Sequence, residues 1–188
     1  MRVRRVVTGD DGQGRAVFAS DEELTPVRLE YFPSTEFHRV WGSDLPVEVP
    51  NAGSPPPTPT YFPPPGGHRF GLVTFPPAGT TRDPDLDVPA ALAEVERQLP
   101  GLMGHRESDA GESAGMHTTE TVDIDVLLSG ELILELDDGE TRTLRPFDTV
   151  VQNGTRHRWR NPGTQPAVMA VFMLGARSAG EADSHGGH

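Results

Sequence analysis

Between Met116 and Leu174 the chain runs through short strand-forming segments at close intervals, each ended by a turn signal. This pattern confines the stretch to an all-β sandwich or barrel. The segments are residues 121–128, 131–136, 141–144, 149–152, 156–160 and 167–174. Ser129 with Gly130, Asp137 through Gly139, Asn153 with Gly154, and Asn161 through Gly163 separate them. Such residues supply positive φ or local side-chain hydrogen bonds, so they reverse the chain cheaply.

Composition narrows the reading further. The 188 residues include 21 Gly and 19 Pro, and apolar residues are only 35%. One modest core with many turns fits these figures better than a helical bundle. Sixteen basic residues against 28 acidic ones leave a formal charge of −12. With no clustered Lys or Arg, nucleic acid and anionic membrane surfaces are not expected partners. No apolar run reaches the length of a membrane span. The absence of Cys removes disulfides, thiolate metal sites and thiol nucleophiles. The basic start, MRVRRVVTGDD, lacks the apolar core of a signal peptide, so a cytoplasmic location is expected.

Upstream, residues 2–8 and 16–19 read as two short strands around the turn cluster Gly9 to Gly12, and residues 37–41 as another. Residues 50–67 are crowded with Pro, which removes N–H donors and fixes φ, so an extended arm is expected. Either it is a solvated linker or it packs across a barrel with Tyr61 and Phe62 as anchors. Residues 69–76 read as the first strand of the main domain. Residues 89–99 are the one helix candidate, with Ala91, Leu92, Val95 and Leu99 at helical spacing behind Pro89. Residues 107–115 read as a mobile loop and the tail from residue 178 as disordered. The expected division is thus an N-terminal arm over 1–68, a barrel over 69–176 and a tail over 177–188.

The chemistry concentrates in residues 115–130. At strand period two, His117, Thr119, Thr121, Asp123 and Asp125 share one face, and Val122, Ile124, Val126 and Leu128 share the other. A polar face of this kind is solvent surface in a sandwich and pocket lining in a barrel. A second piece, residues 144–163, reads as a hairpin whose Asn153 and Gly154 turn carries His157 back over the preceding strand.

Together these pieces resemble the cupins, small jelly-roll barrels also described as double-stranded β-helices. The first cupin motif, G-x5-H-x-H-x3–4-E-x6-G, places its first His on His117, its acidic residue on Asp123 and its closing Gly on Gly130. Thr119 stands where the second His belongs. The second motif, ending G-x2-H-x3-N, matches Gly154, His157 and Asn161, with Phe147 and Asp148 in place of its usual Gly-Asp and no Pro before Gly154. The resemblance implies a cupin-type β-barrel with an N-terminal β-rich arm and one short inserted helix, assembled as a homodimer.

Carried over residue by residue, the resemblance implies a mononuclear divalent metal on His117, Asp123 and His157. Two imidazoles and a carboxylate suit Fe first, with Zn, Mn or Ni as alternatives. Loss of the second His at Thr119 leaves open a site without any ion. Asp123 and His157 are then the expected catalytic groups, acting as general acid and base. Thr119, Thr121, Asp125, Gln152 and Trp159 are the expected substrate-binding residues, and His68 is a candidate replacement ligand. Arg156 and Arg158 are the local cations available to an anionic ligand. The leading functional expectation is a small-molecule, metal-dependent enzyme, an oxygenase first. The alternatives are a metal-free cupin that binds a small ligand and a metal-free acid/base lyase, isomerase or cyclase.

Overall fold

The computed structural model describes residues 1–106 and 114–178. The expected loop at 107–115 lies largely outside these residues, and so does the expected tail.

The turn signals fall where the chain turns. Eleven strands and one α-helix follow in the order β1 (Val3–Asp10), β2 (Ala16–Leu24), β3 (Val27–Leu29), β4 (Phe32–Ser43), β5 (His68–Phe75), α1 (Val88–Gln98), β6 (Thr121–Ser129), β7 (Leu132–Glu135), β8 (Thr141–Leu144), β9 (Thr149–Asn153), β10 (Arg158–Arg160) and β11 (Ala167–Gly175). A six-stranded sheet runs β3-β4-β5-β11-β6-β9, a three-stranded sheet runs β10-β7-β8, and β1 pairs with β2. All pairings are antiparallel. The architecture is the β-barrel expected, with a single α-helix among the described residues.

Alternation places the core. In β11, Ala167, Met169, Val171 and Met173 are buried, and they meet Leu127, Leu132 and Leu144 from the neighbouring strands in one cluster. Helix α1 begins at Asp87, whose Oδ1 accepts from Ala90 N at 3.1 Å and satisfies one of the free N-terminal donors. It buries Ala91 and Val95 and lies beside β3.

The segment before residue 68 does more than flank the barrel. Strands β3 and β4 extend the main sheet beyond β5, and β4 is twelve residues long where sequence suggests only 37–41. Its Pro33, Ser34 and Gly42 hide the strand pattern, while pairing with β5 over Glu36 to Ser43 supplies the order. The Pro-rich arm packs across the barrel rather than running free as a linker. Tyr61 N donates to Pro100 O at 2.9 Å, and Gly66 N and Gly175 N exchange hydrogen bonds with Gly175 O and Gly67 O at 3.0 and 2.9 Å. Tyr31, Phe32, Phe37, Tyr61 and Phe62 form a chain of edge-to-face rings that fixes the arm to β4.

In β6 the polar face points inward. Thr121, Asp123, Asp125 and Leu127 are buried, while Ile124 and Leu128 on the apolar face stand 38% and 39% exposed. This inverts the usual arrangement of a half-buried strand, and the reason is the cavity that the polar face lines.

Candidate functional site

A cavity of about 270 Å³ opens inside the barrel. His117, Thr119, Asp123, Asp125, His157 and Trp159 all line it, so the two sequence pieces do converge. Phe32, Phe37, Phe75, Met169, Val171 and Met173 supply much of the remaining wall, which is apolar and aromatic.

The two imidazoles are set by the backbone. His117 N donates to His157 O at 2.9 Å and His157 N to His117 O at 3.0 Å, an isolated bridge that locks the two residues opposite each other. Their rings stand 4.2 Å apart between centroids, and the His157 ring meets Trp159 edge-on at 5.8 Å. Each Nδ1 lies by a carbonyl, Gly115 O at 3.1 Å for His117 and Thr155 O at 2.8 Å for His157. A carbonyl only accepts, so both Nδ1 atoms carry a proton, and for His157, whose charged form burial disfavours, Nε2 keeps the lone pair. Burial holds His157 below the usual imidazole range, with the Thr155 hydrogen bond opposing it.

The carboxylates behave differently. Asp123 and Asp125 are 6% and 3% exposed, and each has an Oδ1 with no hydrogen-bond partner. Such atoms are costly to bury ionised. Burial raises Asp123 to about 6, against a hydrogen bond from Thr121. Burial, reinforced by the neighbouring Asp123 charge, raises Asp125 to about 8. Both carboxyls are thus displaced upward, and Asp125 holds its proton more firmly than Asp123.

The remaining expected residues divide. The Thr121 and Thr119 hydroxyls are 2.9 Å apart, with Thr121 held behind the cavity wall. Gln152 does not line the cavity: its Nε2 donates to Thr155 O at 3.1 Å and its Oε1 accepts from Thr155 Oγ1 at 2.9 Å, bracing the turn before His157. Asn161 acts likewise, donating to Phe75 O and Gln165 O at 2.9 and 2.8 Å. Gly154, at φ +62°, passes so close to the Thr119 carbonyl that a Cβ would approach it to 2.8 Å. His68 is absent from the cavity wall and packs against Phe172 instead. Arg156 and Arg158 pair with Asp137 and Glu135. Pairing across neighbouring strands decides these roles, and period-two reading of one strand does not contain it. Tyr61 and Phe37 also line the cavity. The aromatic run beside the Pro-rich arm was the signal for Tyr61.

Among the described residues, no three His, Cys, Asp or Glu side chains come together closely enough to hold a metal ion. The His pair suits nitrogen ligation, but the carboxylate does not complete a group of three with it, and Thr119 occupies the position of the missing imidazole.

A jelly-roll barrel with a polar inner strand and paired motif residues at its cavity defines the class. Residues 104–173 match the family model for the cupin domain, which supports a place for this stretch in the cupin superfamily. It is 55% identical over 116 residues to a phomopsin biosynthesis cluster protein C′ of Diaporthe leptostromiformis, covering 57% of this chain and 61% of that protein. The chain thus spans about three fifths of that relative's length. It is 27% identical over 177 residues to fogC, a cupin-domain-containing oxidoreductase of Aspergillus ruber, covering 92% of this chain and 72% of that protein. A cupin domain from Bordetella pertussis Tohama I overlays 58% of this chain and 82% of its own at 19% identity and a TM-score of 0.35. No helix among the described residues is long and apolar enough to cross a membrane.

Proposed function

We propose that this cupin is a small-molecule enzyme of biosynthetic metabolism that transfers a proton to or from an apolar or aromatic carbonyl compound. The observation that carries this reading is the convergence of two buried carboxyls with unpartnered oxygens and two imidazoles on one aromatic-walled cavity. Asp125 enters the reaction protonated and is the proton donor, and ionised Asp123, on the same cavity as His157, is the acceptor. The aromatic wall excludes water and holds the substrate by its apolar body. Relatives named for phomopsin and oryzines biosynthesis clusters support the metabolic setting. Lyase, isomerase and cyclase reactions all use such a proton transfer. A homodimer is part of the proposal, since the outer row Phe70, Phe172, Ile124 and Val151, in register across four strands, leaves apolar surface exposed.

A divalent ion, Fe before Zn, Mn or Ni, is the second reading, favoured by the two imidazole rings 4.2 Å apart between centroids on one cavity. It would supply Lewis-acid or O₂ chemistry, although among the described residues its donors do not form a group of three.

Exchange of α-hydrogens in D₂O separates these readings. The substrates are a panel of aryl ketones, followed by ¹H NMR with wild type, chelator-treated wild type and Asp125→Asn. Acid–base catalysis gives exchange above buffer that survives chelation and falls by about 10²–10⁴-fold in Asp125→Asn. Exchange lost on chelation and restored by Fe(II) or Zn(II) would install the metal reading instead. No exchange above buffer by wild type would contradict both.

A further inference from the structure

A second cavity, of about 80 Å³, lies against the first and shares Phe37, Tyr61, Val73, Val171 and Met173 with it as a common wall. Its remaining side is basic, formed in part by Arg5, Arg39 and Arg69. Two of these cations are neutralised in place. Buried Arg69 pairs with Asp44, and Arg5 pairs with Glu22 while its Nη1 donates to Val40 O at 2.8 Å.

Arg39 differs. Its Nη2 donates to Thr58 O, to Thr58 Oγ1 at 2.9 Å and to Thr60 O at 3.2 Å, all on the Pro-rich arm and all neutral. Among the described residues no carboxylate pairs with it, and its Nε and Nη1 donate to no protein atom. Burial and the neighbouring Arg69 disfavour its charge, with Tyr61 and Asp44 opposing them, so an anion at Nη1 would relieve the balance. The Tyr61 hydroxyl, in the common wall, feels Asp123 and Asp125 as well as Arg39, which places the acidic and basic compartments within electrostatic reach of one side chain.

We propose that Arg39 is the anion-recognition residue of a composite pocket. The substrate is then a small organic carboxylate whose apolar body fills the first cavity and whose carboxylate accepts from Arg39 Nη1 beside Tyr61. This proposal rests on the reading of the first cavity as the substrate site. The Pro-rich arm acquires a role within it, because Thr58 and Thr60 occupy Nη2 and leave Nη1 to the ligand.

The test compares 4-phenylbutyrate with 4-phenylbutanol, an uncharged molecule of the same body, by isothermal titration calorimetry. Wild type is expected to bind the carboxylate about tenfold more tightly than the alcohol. Arg39→Gln removes that preference, Arg39→Lys keeps part of it, and Gly79→Ala, remote from both cavities, keeps it in full. Equal affinity for the two probes in wild type would overturn the role of Arg39 while leaving the first cavity as a binding site. A preference undiminished in Arg39→Gln would overturn it as well, and so would failure of both probes to bind. Because the readout is binding, absence of hydrogen exchange beside an intact carboxylate preference would count against the proton-transfer reaction alone.

Discussion

Asp125→Asn is expected to make the protein more stable, not less, between about pH 6.5 and pH 8, the range bounded by the ordinary imidazole value and the raised carboxyl. An unfolded Asp ionises near about 3.9, whereas burial and the Asp123 charge hold Asp125 at about 8 in the folded chain. The folded state therefore binds the extra proton over the interval between these values. The stability it confers is complete below the unfolded value and is lost as pH rises through the folded one. The slope is about 1.4 kcal/mol per pH unit wherever the folded group is protonated and the unfolded one is not. Asp123, at about 6, is largely ionised in both states, while buried His157 and His38, both shifted downward, add stability as their unfolded imidazoles lose protons, a contribution that wild type and variant share. The stability of wild type relative to Asp125→Asn, which cannot ionise, should thus fall steadily from pH 6.5 toward pH 8, with the variant showing the higher melting temperature at the upper end. Urea unfolding at half-unit pH steps measures both. Parallel profiles would mean that Asp125 is ionised in the folded protein throughout. A variant that gains stability as it loses proton transfer would show that the carboxyl is kept for chemistry at a cost to the fold.

Gly175→Ala carries the largest expected loss. Gly175 ends β11, and the arm passes so close that a Cβ there would stand 1.8 Å from the Pro64 carbonyl oxygen. The neighbour is backbone, held by reciprocal hydrogen bonds between Gly175 and the Gly66–Gly67 turn, so it cannot swing aside as a side chain would. Overpacking of this kind costs about 1–3 kcal/mol, and each broken hydrogen bond adds about 1 kcal/mol. A loss of about 3 kcal/mol lowers the melting temperature of a domain this size by about 6–12 °C. The arm carries Tyr61, so the damage reaches the wall shared by the two cavities, and residues 50–67 should become the first site of proteolysis. Gly79→Ala is the control, since a Cβ there meets nothing within 4 Å. Equal melting temperatures for the two variants would mean that the arm is not seated on β11.

These two sites mark what local sequence carries and what it does not. Period-two alternation from His117 to Asp125 placed one polar face together, and the structure brings four of those five residues to the cavity wall. Local turn chemistry marked Gly130 and Gly154, both at positive φ. What escaped depends on contacts between distant segments. Gln152 looks like a pocket amide until Thr155 claims it, and Arg158 looks free until β10 pairs with β7 and sets it beside Glu135. Likewise, β4 is a strand because β5 pairs with it, and Arg39 matters because an arm some twenty residues later occupies one edge of its guanidinium. Thr119 was legible as a departure from the cupin motif, but its consequence required knowing that the carboxylate does not complete a donor group with the His pair.

The central claim is that the cavity holds one protonated and one ionised carboxyl at neutral pH. Carboxyl carbons of ¹³C-labelled Asp, followed by NMR across a pH titration of wild type, Asp123→Asn and Asp125→Asn, test it most directly. The account predicts one resonance with a midpoint at about 8, missing from Asp125→Asn and shifted downward in Asp123→Asn, where the neighbouring charge is gone. If every Asp carbon in the wild-type protein titrated in the ordinary carboxylate range, the proton donor would not exist and the proposed chemistry would fall with it.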